Sequence, residues 1–87
     1  MIKAAAIKTS DGEIISLPRP LRHHDILGYM QQHSIPYTTG AVQGFITHTD
    51  LFLTREEAYW VAHKAGQLLF RDGQTHCVGR LYTEDMW

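Results

Sequence analysis

The stretch Gly44–Gln67, GFITHTDLFLTREEAYWVAHKAGQ, decides the fold. Two apolar segments, Val42 to Thr47 and Leu51 to Leu53, bracket the polar turn His48-Thr49-Asp50 and read as a β-hairpin. Thr54 then opens a helix: with Glu57 three residues later it fits a capping box, in which each side chain satisfies a backbone donor that the first helical turn leaves unpaired. Glu56 and Glu57 also suit the positive end of the helix dipole. Arg55 does not. A cation in the first turn is misplaced by about 0.3–1 kcal/mol, so it requires a carboxylate partner, Glu84 or Asp85, or an anionic ligand.

Helical spacing from Arg55 onward places Ala58, Val61, Ala62 and Ala65 on the buried side, with Tyr59, Trp60, His63 and Lys64 on the others. Small alanines permit close approach to a sheet, and Gly66 ends the helix as a left-handed cap. Trp60 is expected on a partly exposed face, where it reads as an interface residue or as a tryptophan at the edge of the core.

The same order occurs upstream. Ile2 to Lys8, the turn Asp11-Gly12 and Glu13 to Leu17 predict another hairpin, and Pro18-Arg19-Pro20 stops it because proline cannot donate to a ladder. Arg22 to His33 follows as a helix with Ile26, Leu27, Met30 and His33 at helical spacing, and Ser34 to Ala41 is a loop. Downstream, Asp72-Gly73 reads as a turn, Val78 to Tyr82 as a short strand and Thr83 to Trp87 as a docked tail. The predicted fold is α+β, one domain over residues 1–87, with two β-hairpins each followed by an α-helix (ββα-ββα) and a docked C-terminal tail.

Composition bounds the function. A chain of 87 residues, 44% hydrophobic, supports one small core. Eight Lys/Arg against nine Asp/Glu, net charge −1, give no global attraction for DNA, RNA or an anionic membrane, so any anion site must be local. No apolar run approaches the roughly 20 residues of a membrane helix, and the lone Cys77 cannot form an internal disulfide. With no secretory pattern at the amino terminus, the expected compartment is the cytoplasm.

Arg22-His23-His24-Asp25 is a second candidate anion site, because no Ser, Thr, Asp or Asn precedes this helix and its first amides gather beside an arginine and two imidazoles. The structural alternative has Asp25 and solvent satisfying those amides, with His23 in the core and His24 exposed. Metal binding and catalysis are not expected. Adjacent helical residues such as His23 and His24 point about 100° apart, and the six histidines show no His-x3-His spacing. Cys77 reads as a small hydrophobe, and Glu84-Asp85 as carboxylates that bind an arginine or cap backbone groups. No cofactor is implied.

In chain order, RHHDI (22–26), QGF (43–45), a short run with Phe52 before TREEA (54–58), AGQ (65–67) and LYTEDMW (81–87) resemble a group of small phage-encoded proteins. Their usual form is RHH-x-I … QGF-x-T … F-x-x-R-x-EA … GQ … L-x-SEDLW. Within that group the chain is similar in size and motif order to Thoeris anti-defence sponges, which bind cyclic ADP-ribose-type immune signals without cleaving them. The resemblance covers most of Arg22 to Trp87. It implies ligand binding by Arg22, His23, Phe45, Thr54, Arg55 and Gln67, with Glu84 and Asp85 holding the architecture. The chain departs where the usual T-S-x-G-R-F reads Thr47-His48-Thr49-Asp50-Leu51-Phe52, which removes an arginine at Leu51 and bears on ligand identity; Thr83 stands for the usual serine.

The implied function is sequestration of a cyclic nucleotide-type small molecule, with no enzymatic turnover. Arg22, the amides of the first helix and Arg55 would hold its pyrophosphate, while Phe45 or Trp60 stacks the base. So small a chain cannot enclose a nucleotide alone, and a homo-oligomer with Trp60 or Trp87 at its contacts is expected. Two other classes fit: an inhibitor that binds a host protein through Tyr59-Trp60, and a small hydrolase that acts through His23, Asp25 or Glu84.

Overall fold

The structure, a computed structural model, describes residues 1–69 and 79–87. Strands β1 (Ile2–Lys8) and β2 (Ile14–Leu17) form the first hairpin and lead to α1 (His23–Gln32). Strands β3 (Val42–Thr47) and β4 (Phe52–Thr54) form the second and lead to α2 (Arg55–Lys64). One 3-10 turn, Thr83–Asp85, follows. The expected ββα-ββα order is therefore present. The sheet is antiparallel throughout, in the order β2-β1-β3-β4, so β1 is central and joins the two halves.

Strand alternation divides β1 between two faces. Ala5 and Ile7 pack with Phe45, Leu53, Ile26, Met30, Ala58 and Ala62 in the main core, while Ala4 and Ala6 pack with Ile46 and Phe52 on the opposite face. A register shift between Ile2 and Ala4 lets Ile2 join the main core although it lies three positions from Ala5. Helix α1 lies against β1 and β2, and α2 against β3 and β4. Alanine at the centre of the sheet and at Ala58 and Ala62 of α2 leaves room for this contact.

On the opposite face one ring, Phe52, packs over β3. A Cβ built on Gly44 would stand 2.7 Å from the Phe52 ring and 2.1 Å from the Leu53 carbonyl oxygen, so only glycine lets β4 and Phe52 close over β3 here.

The α2 capping box is formed as expected: Thr54 Oγ1 accepts the Glu57 amide at 3.2 Å, and Glu57 Oε1 accepts the Thr54 amide at 3.0 Å. At the other end Gly66 adopts φ +68°. Its amide donates to the His63 carbonyl at 3.2 Å and that of Gln67 to Ala62 at 2.9 Å, a Schellman arrangement.

Three expectations need correction. Tyr59 is buried and Ala65 exposed, the reverse of the expected order. The inward stripe centres on Ala58, Tyr59 and Ala62, and Ala65 already belongs to the closing turn. Strand β4 runs over Phe52–Thr54 rather than Leu51 to Leu53, because the Thr47 hydroxyl accepts from the amides of Thr49 and Leu51 and holds Leu51 in the turn. No strand forms over Gly79 to Tyr82, and Val78 lies outside the described residues, as do Asp72-Gly73 and Cys77.

The tail docks as expected, with Met86 buried. Trp87 Nε1 donates to the Leu21 carbonyl at 3.1 Å, its ring meets Phe45 edge-on, and the Arg19 guanidinium lies 4.4 Å from its centroid. Among the described residues no helix is long and apolar enough to cross a membrane.

Candidate functional site

The capping box fixes where α2 begins and therefore where Arg55 points. Its guanidinium folds back from the first turn toward β3 and the tail. Nη1 donates to the Leu81 carbonyl at 2.8 Å, Nη2 to Gln43 Oε1 at 2.7 Å, and the Tyr82 ring lies 4.5 Å from Cζ. Nη2 also faces His23 Nδ1 at 3.5 Å. Among the described residues the acceptors that hold Arg55 are thus a carbonyl, an amide and an imidazole, and Glu84 acts on it through its charge rather than through a direct ion pair. A guanidinium has five N–H donors. These contacts use three, leaving Nε–H and one Nη1–H without a protein acceptor among the described residues.

Burial lowers the Arg55 pKa; Tyr82 and Glu84 oppose that shift, Arg80 adds to it, and Glu56 opposes it weakly. The group stays protonated, as arginine does. Among the described residues no carboxylate forms an ion pair with this half-buried cation, and an anion there is a favourable addition.

Arg55 opens into a cleft of about 340 Å³ lined by Tyr37, Gln43, Thr54, Glu56 and Arg80. That volume lies at the lower end of small-molecule sites, roughly 300–1,000 Å³. Tyr37 is 49% exposed, and its hydroxyl accepts from Gln43 Nε2 at 3.3 Å, so an aromatic face stands beside the cation pair. Glu56 is the opposing charge at the rim. A larger cavity of about 460 Å³ on the other side of the sheet is mostly apolar, and its cations are engaged: Lys3 with Asp50 at 2.9 Å and Arg19 on Trp87.

The structure separates the six candidate ligand residues. Arg55 and Thr54 line the cleft. His23 lies behind it, 7% exposed, with Nε2 bonded to the Gly44 carbonyl at 2.8 Å and its ring edge-on to Phe45. This carbonyl partner makes Nε2 the protonated nitrogen and leaves the Nδ1 lone pair toward Arg55. Burial lowers the His23 pKa; the Gly44 bond opposes this, Arg55 adds to it, and the Ala6 carbonyl and Glu84 oppose it more weakly. Phe45 is fully buried, so its ring has no face for a base. Arg22 donates through Nη2 to the main-chain oxygen of Trp87 and holds the tail. Gln67 binds both backbone polar groups of Ile2.

The first turn of α1 follows the structural alternative. Asp25 Oδ2 accepts the Arg22 amide at 2.8 Å, His23 is in the core and His24 is exposed. Sequence reasoning passed over Gln43, Tyr37 and Arg80. Gln43 carried a signal: alternation along QGF puts it on the same inward face as Phe45, where a polar residue needs a partner.

The family described as Phage T4 y16D protein matches the chain over residues 1–87, and the chain belongs to that family. No curated protein matches the chain, and no solved structure matches it.

Proposed function

We propose that this member of the phage T4 y16D protein family is a phage anti-defence binding protein. It captures a cyclic ADP-ribose-type nucleotide in the cytoplasm of the infected host and holds it without cleaving it. The observation that carries the reading is the half-buried Arg55 guanidinium at the wall of a cleft that Arg80 shares, where the acceptors it meets among the described residues are a carbonyl, an amide and an imidazole. In this arrangement Arg55 and Arg80 take the pyrophosphate, and Tyr37 replaces Phe45 as the base-stacking ring. The cleft is open and shallow for a whole nucleotide, so a second copy of the chain completes it, with Trp60, 56% exposed, at the contact.

The same exposed Trp60, edge-on to Tyr59 at 4.9 Å, favours a second reading in which this face binds a host protein and no nucleotide is held.

Native mass spectrometry of the protein with cyclic and glyco-cyclic ADP-ribose isomers tests the first reading. A ligand adduct on the wild type, lost in Arg55→Ala and weakened in Arg80→Ala, with intact ligand recovered after heat denaturation, is the expected result. Linear ADP-ribose in the released fraction moves the protein to the hydrolase class. The absence of any adduct leaves the host-protein reading. Light scattering at a mass near 10.0 kDa, that of one chain, would remove the second copy.

A further inference from the structure

Behind the cleft, one imidazole and one guanidinium share a boundary. His23 comes from the first turn of α1 and Arg55 from the first turn of α2, and Nδ1 of one faces Nη2 of the other at 3.5 Å. The Gly44 carbonyl occupies Nε2, so a second proton on this ring has one place to go: Nδ1, directly toward a cation. The strands beneath meet the ring with the carbonyls of Gly44 and Ala6, and the neutral amide of Gln43 accepts from Arg55 beside it. Arg55 faces the ring from α2 and Glu84 from the 3-10 turn. On α1 itself, His24 pairs with Asp25 at 3.4 Å, and Arg22 is turned to Trp87. Burial opposes a second proton on His23 most, and Arg55, the same charge that lines the cleft, opposes it next, while Glu84 favours it.

We propose that His23 links anion capture at Arg55 to proton uptake, so that the cleft holds a phosphate-bearing ligand more tightly as the pH falls through the range in which this imidazole titrates. The inference rests on the cleft reading above. An anion on Arg55 offsets the positive charge that opposes a proton on Nδ1, and by reciprocity a proton on Nδ1 strengthens the pull on the anion. Protonation also ends the acceptor role of Nδ1, which frees one Nη2–H of Arg55.

The test uses the full chain, 15N-labelled, with sulfate as the probe, because this dianion does not change charge between roughly pH 5 and 8, where histidine titrates. Imidazole spectra give the His23 titration in sulfate and in chloride at matched ionic strength, and the Gln43 and Arg55 side-chain signals report binding. Sulfate should raise the His23 midpoint by about half a unit or more, equivalent to at least about threefold tighter sulfate binding at the acid end. Arg55→Ala should raise the midpoint in chloride and abolish the effect of sulfate, while Arg55→Lys, which keeps the charge, should retain it. Sulfate binding at Gln43 and Arg55 with an unmoved His23 midpoint overturns the linkage and leaves the cleft reading standing. No response at Gln43 or Arg55 at any pH removes both. The wild-type comparison decides even if a variant fails to fold.

Discussion

Gln67 Oε1 accepts the Ile2 amide at 2.8 Å while Gln67 Nε2 donates to the Ile2 carbonyl at 3.0 Å, so one side chain serves β1 as a strand neighbour would. Strand β2 pairs with β1 only from Ala5 to Lys8 and does not reach this position. Because Ile2 is buried, both of its backbone groups depend on that amide. Gln67→Ala should cost about 2 kcal/mol in chemical denaturation, within the range for orphaned buried groups. It should leave ligand affinity of the folded protein unchanged. A loss of affinity without a loss of stability would return Gln67 to the ligand site.

Gly44 and Gly28 should respond in opposite directions. Gly44→Ala meets the Leu53 carbonyl, which is backbone and cannot swing aside, so its loss of stability should exceed about 3 kcal/mol and show as failure to accumulate folded protein. Gly28 lies inside α1, where an added Cβ would have nothing within 4 Å, and Gly28→Ala should gain about 0.5–1 kcal/mol in the same denaturation assay.

Stability should fall in mild acid because of His23. Burial holds its folded pKa below the ordinary 6.5, so the unfolded chain binds the proton first as the pH drops. The His23 contribution is complete above about pH 6.5 and is lost as the pH falls from there through the folded pKa. Denaturation midpoints measured at descending pH should decline over that window in the wild type, and the decline should be smaller in His23→Gln.

Arg22→Ala should loosen the tail rather than the cleft. Losing the hydrogen bond to the Trp87 main chain costs about 1.5–3 kcal/mol for a charged donor. In a Trp60→Phe background, Trp87 emission should shift to the red. Sulfate titration of the Gln43 and Arg55 signals should be unaltered; weakened binding would place Arg22 in the ligand site after all.

What was legible in the sequence was local. Asp11-Gly12, Pro18 to Pro20, Thr54 with Glu57, and Gly66 each act within a few residues, and they fixed two hairpins and two helices. What was not legible depends on rotation and distance. Helical spacing allows a stripe through Val61 and Ala65 as readily as one through Tyr59, and only the position of the sheet selects between them. Arg55 announced itself by standing against the dipole, yet its surroundings come from Tyr37, Gln43, Leu81 and Arg80, which no local pattern joins to it. Phe45 and Gln67 were readable as motif residues, but the motif alone cannot distinguish a residue that touches ligand from one that holds the core.

The docking of Trp87 also bears on the order of events in folding. Its bonds to Leu21 and Arg22 span 66 and 65 residues, whereas each hairpin closes over a short turn. Contacts across long loops gain nothing until the loop has been closed, so they arrive after local ones. The indole is thus a natural reporter of the final step: after a jump to refolding conditions, far-ultraviolet ellipticity should recover ahead of Trp87 fluorescence. Substitutions at Arg19 or Arg22 should then accelerate unfolding far more than they slow folding.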